Sequence, residues 1–291
     1  MKRWLSGLLY LVLSGAALAA GPDAVRERVQ ASMLVTGMIE VAPDGSVAKY
    51  TLDHPEKLPS EVRGLLAQAV PVWKFEPVEV GGKPVIAKTS MNLRVVAKPL
   101  GNDSYSMSVA GVSFGDYASD AKHDSAETIT YKNRVQPSYP LDARDSGVSG
   151  IVYVLLKVGR DGRVADSAAE QVNLRIIADE SQLAVWRRIL ASAALNAVKR
   201  WTFNPPTVGK DADKPCWMVR TSVNFVLSGP GAPAVVRESG YGQWQPYVPG
   251  PVQEPTWSEK RKLAGSVDTV PDGRVFLANA SLHLLTPLGG T

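Results

Sequence analysis

Few side chains in this sequence have the type and spacing for covalent chemistry. Cys216 is the single cysteine and lies in the apolar run Cys216-Trp217-Met218-Val219, so it reads as a buried structural thiol with no disulfide partner. His54, His123 and His283 are the three histidines, and none has a cysteine, histidine or carboxylate at metal-ligand spacing. Asp179 with Gln182 three residues on has the form of a capping box, so Asp179 and Glu180 start a helix rather than pair as acid and base. Asp44 and Asp161 each precede a glycine, as turn residues do. There is no Gly-x-Ser-x-Gly elbow, phosphate-cradling glycine loop or histidine-centred triad. The expectation is a protein that is not an enzyme and uses no metal or cofactor. An activity hidden in the weakly patterned C-terminal tail is the remaining enzymatic alternative.

The composition narrows the partners. A formal net charge of +4 over 291 residues is spread along the chain, without an arginine-rich arm, so nucleic acid is not an expected partner. Lys2 and Arg3 precede an apolar run from Trp4 to Leu18, followed by Ala17-Leu18-Ala19. That is the pattern of a secretory signal peptide spanning 1–19, with cleavage expected before Ala20 and the mature protein in the periplasm. The alternative is a retained anchor facing the periplasm from the inner membrane, for which the apolar run is short.

The elements come from an internal repeat. Ala69-Val70-Pro71-Val72-Trp73-Lys74-Phe75-Glu76-Pro77 and Ala197-Val198-Lys199-Arg200-Trp201-Thr202-Phe203-Asn204-Pro205 share the pattern A-V-x-x-W-x-F-x-P. Upstream, Asp44-Gly45-Ser46-Val47 matches Asp161-Gly162-Arg163-Val164; downstream, Thr89-Ser90-Met91-Asn92-Leu93 matches Thr221-Ser222-Val223-Asn224-Phe225. In each copy an apolar run, 33–41 or 151–158, ends at an Asp-Gly turn that demands positive φ, giving a hairpin. Helical spacing of Leu183, Trp186, Ile189, Leu190, Ala193, Ala194, Ala197 and Val198 predicts a long helix; its first-copy counterpart is shorter, about 60–70. Alternation from Val85 to Val95 and from Val219 to Phe225 predicts a third strand with one face on a core and Lys88, Ser90, Asn92, Arg94, Arg220, Ser222 and Asn224 toward solvent. The tryptophans at 73 and 201 are expected core anchors rather than ligand platforms.

The second copy resembles the C-terminal domain of TonB-type energy transducers. The resemblance is carried by Pro137-Ser138-Tyr139-Pro140-Leu141-Asp142-Ala143, Gly147, Gly150, Asp161-Gly162-Arg163-Val164, Trp201, Phe203, Pro205 and Val223-Asn224-Phe225. The first copy lacks the Tyr-Pro entry. The implied fold is α+β: two TonB C-terminal-like modules, each a three-stranded antiparallel sheet with a helix packed on one face. The expected division is 31–98 for the diverged module, 99–133 for a linker with at most a short strand, 134–228 for the closer module, and 229–291 for a Pro/Gly-rich tail.

What the resemblance implies about function is binding of an extended segment by strand addition, linked to transmembrane transport. The partner is an outer-membrane TonB-dependent receptor or another envelope protein. The matching positions are Gln136, Pro137, Tyr139 and Pro140 with the edge strand around Thr221, Ser222 and Asn224, and Arg220 and Asn224 as its polar face. The same edge is a route to a homodimer. The segment before Met33 has neither the histidine nor the long Pro-rich spacer of energy transducers. The alternative is therefore a periplasmic interaction scaffold without energy transduction.

Overall fold

The computed structural model describes residues 30–101, 104–115, 117–118, 126–209, 211–227, 240–258, 265–278 and 282–288. The expected signal peptide lies outside them. Among the described residues no helix is long and apolar enough to cross a membrane.

In chain order the elements are β1 (Gln30–Val41), β2 (Val47–Leu52), α1 (Ser60–Ala69), β3 (Glu79–Val80), β4 (Lys83–Pro84), β5 (Ala87–Gly101), β6 (Ser104–Phe114), β7 (Tyr117–Ala118) and β8 (Thr130–Asn133). They continue with α2 (Leu141–Asp145), β9 (Gly150–Gly159), β10 (Val164–Leu174), α3 (Glu180–Val198), β11 (Thr202–Asn204), β12 (Cys216–Phe225), β13 (Gln245–Tyr247) and β14 (Val275–Leu277). Two antiparallel sheets dominate. One runs β13-β1-β5-β6 with β2 also on β1; the other runs β10-β9-β12-β14-β7.

The expected hairpin, helix and third strand are present in both halves: β2-β1-β5 with α1, and β10-β9-β12 with α3. Odd positions of β1 and β5, including Val35, Ile39, Met91, Leu93 and Val95, pack with Val62 and Leu66 of α1. Even positions of β9, from Val152 to Val158, pack with Leu183, Leu190, Ala194 and Val198 of α3. Asp179 caps α3 as expected, accepting from the Gln182 amide at 2.9 Å, and the bonds it accepts there from Ser181 and Gln182 hold its carboxyl below the usual range.

The turns repeat bond for bond. Gly45 and Gly162 have φ of 78° and 75°. Each carbonyl accepts from the phenylalanine of the W-x-F block, Phe75 N–H to Gly45 and Phe203 N–H to Gly162, both at 2.8 Å. A Cβ on Gly162 would stand 2.2 Å from the Phe203 carbonyl oxygen. Gly162→Ala therefore combines a left-handed backbone with a steric clash, and we expect it to lower the unfolding free energy by at least about 2 kcal/mol, read by denaturant titration.

Three expectations differ from the structure. The linker contains β6, eleven residues long and paired with β5 along its length. The tail is not a loose appendage: β13 pairs with β1, β14 pairs with β12, and the 283–285 stretch pairs with 74–76. Most of the polar faces of β5 and β12 do not meet solvent. Asn92, Arg94, Arg220 and Ser222 are buried, because the helix-free sides of the two sheets face each other across the tail segment 266–276. Alternation reports which residues share a face, and here the polar face meets a second, polar layer.

Candidate functional site

The seam between the sheets is a buried polar network. Arg94 of β5 donates through Nη2 to the Tyr153 hydroxyl of β9 at 3.0 Å and through Nε to the Asp268 carbonyl at 3.0 Å. The Asp268 carboxylate accepts from Tyr247 and, at 3.3 Å, from Asn173 of β10. The tail residue thus ties both sheets together. Tyr153 is fully enclosed, and burial pushes its phenol up to about 12, opposed by Arg94. A phenol whose folded pKa exceeds its unfolded value stabilises the fold below about pH 10 and loses that contribution as pH rises toward 12. Unfolding free energy is expected to fall across that window, and Tyr153→Phe should flatten the fall.

The expected binding residues fall in two places. Tyr139 closes the Tyr-Pro entry against the second core: its hydroxyl donates to the Val148 carbonyl at 2.5 Å and its ring meets Phe225 edge-on at 5.5 Å. Burial raises the Tyr139 phenol to about 12. Pro137 and Pro140 are half-buried and Gln136 is exposed. Just upstream, Trp201 donates to the Val135 carbonyl at 2.7 Å, and the Arg134 guanidinium lies 5.2 Å from its ring centroid. Between the entry segment and α3 opens a groove of about 650 Å³.

Arg220, Thr221, Ser222 and Asn224 lie on β12, and that strand is not the open edge that was expected. Val219, Arg220 and Thr221 are in register with Leu277, Phe276 and Val275 of β14. Thr221 and Ser222 donate to tail carbonyls of Arg274 and Pro271, at 2.8 and 3.4 Å. Asn224 Nδ2 reaches Asp272 at 3.3 Å, while its Oδ1 is buried without a partner among the described residues. The corresponding edge of β5 is filled by β6. A homodimer along β12 would first have to displace β14.

Arg220 has a structural task. It makes a bidentate pair with Glu170, Nε to Oε2 at 2.6 Å and Nη2 to Oε1 at 2.8 Å, with both side chains almost wholly buried. Glu170 falls where the β10–β9 register slips between Ala169 and Gln171, a bulge that turns it onto the Arg220 face. Period-two reading cannot foresee such a bulge. The tail strand had one signal, the turn pattern Val270-Pro271-Asp272-Gly273-Arg274-Val275-Phe276.

Cys216 is half-buried and free, and no metal-binding cluster of histidine, cysteine and carboxylates occurs among the described residues.

Residues 135–227 match the family model described as the Gram-negative bacterial TonB protein C-terminal. Two curated relatives called Protein TonB, from two strains of Xanthomonas campestris pv. campestris, are each 32% identical over 100 residues. The match covers 34% of this chain and 39% of each relative, so the chain spans well under half of their length. No solved structure matches. The unit built from the Tyr-Pro entry, β9, β10, α3 and β12 is the part of the chain that is similar to the TonB C-terminal domain.

Proposed function

We propose that this is a non-enzymatic, exported protein of the cell envelope that binds an extended segment of an outer-membrane receptor or another envelope partner, in support of transport across that membrane. Binding takes place by strand addition to β12. The observation that carries this reading is β14. The outer edge of β12 already accepts a strand, yet that strand has only three register pairs and arrives from a segment about fifty residues downstream. An incoming segment that exchanges with β14 would gain the remaining length of β12 and the unmet Asn224 Oδ1.

The N-terminal pattern supports export with the mature chain in the periplasm. The first sheet and α1 are, in this reading, a diverged copy whose accepting edge is permanently filled by β6, leaving the second copy to bind. A scaffold without energy transduction is the second reading, favoured by the β14 strand that already occupies the edge of β12.

The test is a photo-crosslinking residue at position 224 of the full chain, in its native envelope. Adducts with a TonB-dependent receptor support transport. Adducts confined to other envelope proteins support the scaffold, and no adduct along 222–225 overturns strand addition. Gln136→Ala and Asn224→Ala suit binding measurements because neither side chain is enclosed in a core. Tyr139→Ala does not, since it would open the Phe225 contact and orphan the Val148 carbonyl.

A further inference from the structure

The groove between the entry segment and α3 has walls of different character. On one side stand Tyr139 and Leu141, the latter 62% exposed. On the other, α3 offers Arg188, Ser192 and Asn196, and Arg200 follows just past its C-cap Lys199, the four spaced four residues apart and all exposed. No carboxylate lines the groove. Among the described residues neither Arg188 nor Arg200 has an ion-pair partner, whereas the adjacent Arg187 is engaged by Glu180 at 2.8 Å.

Arg188 on α3 and Arg200 just past its C-cap are twelve residues apart, about 18 Å along the axis at helical rise. Five steps of an extended chain, at about 3.4 Å each, cover nearly the same distance. We propose that this groove docks an extended acidic peptide, with a carboxylate at each end near Arg188 and Arg200 and an apolar side chain between them resting on Tyr139 and Leu141. The surface is a second site beyond the strand-addition edge proposed above, and it needs no displacement of β14. A concave, half-apolar wall suits a peptide better than the flat charge of a lipid surface.

The experiment is fluorescence anisotropy of the full chain with a labelled octapeptide carrying aspartate at its second and seventh positions and a central leucine. Its asparagine counterpart and anionic phosphatidylglycerol vesicles serve as competing probes. The acidic peptide is expected to bind about ten-fold more tightly than the amide form, to weaken with added salt, and to lose about ten-fold in Arg188→Glu/Arg200→Glu. Lys199→Glu, exposed but outside the groove, should leave binding unchanged. Equal affinity for the two peptides, equal loss in Lys199→Glu, or arginine-dependent capture of vesicles but not peptide would overturn the proposal. Hydrogen exchange separates it from strand addition: arginine-dependent binding without added protection at 222–225 upholds the groove while sinking the exchange of β14.

Discussion

Glu170→Ala should destabilise the protein by roughly 3–5 kcal/mol, more than any change of an exposed charge. The substitution leaves the Arg220 guanidinium buried between β12 and the tail with its bidentate partner gone. The Gly265 carbonyl, 3.5 Å from Nη1, is no replacement for a carboxylate. The cost is that of a buried guanidinium losing its bidentate carboxylate, not the net worth of the pair. For that reason Glu170→Leu/Arg220→Met should recover most of the loss, finishing within about 2 kcal/mol of the parent. Urea titration of the two variants decides the matter. If the double variant is as unstable as the single one, the pair contributes through its hydrogen-bond geometry.

Trp201→Ala is the second large effect, also about 3–5 kcal/mol, but by another route. Trp201 is fully enclosed and meets Tyr131 edge-on at 5.5 Å. Its removal leaves a cavity in the second core and frees the entry segment at Val135. Trp201→Phe keeps much of the volume and loses the indole N–H, and should cost clearly less. Trp73→Ala should also destabilise, since Trp73 is buried and packs edge-on with Phe114 at 6.2 Å. It should leave the second sheet's hydrogen-exchange protection higher than Trp201→Ala does.

These two predictions mark what could be read in advance. Trp201, Gly162 and the stripe of α3 were legible because each obeys a local rule: a helix period, a turn that needs positive φ, a large ring beside a core strand. The positions of Arg94 and Arg220 on one face of their strands were equally legible. Their surroundings were not, because what covers that face comes from Asp268 and its neighbours more than 170 residues beyond Arg94 and from a bulge at Glu170. The entry segment packs on the second core, and its tyrosine braces that core through Val148 and Phe225. The β12 edge was read as open because strand pairing from a Pro/Gly-rich tail leaves little periodic trace in three residues.

The tail's stitching also governs when the molecule can become whole. The amide of Lys74 is met by the Thr286 hydroxyl 212 positions later, and Thr36 by the Tyr241 hydroxyl 205 positions later. A chain made from its N-terminus therefore emerges with β1 lacking β13 and β12 lacking β14 until residues 245–277 have followed. Closure is a late event with a large entropic cost, and the unfinished sheets pass through that interval with bare edges. The arrival of these two strands, not the formation of either helix, completes the sheets. A chain cut short before residue 245 would remain a substrate for holding chaperones and proteases.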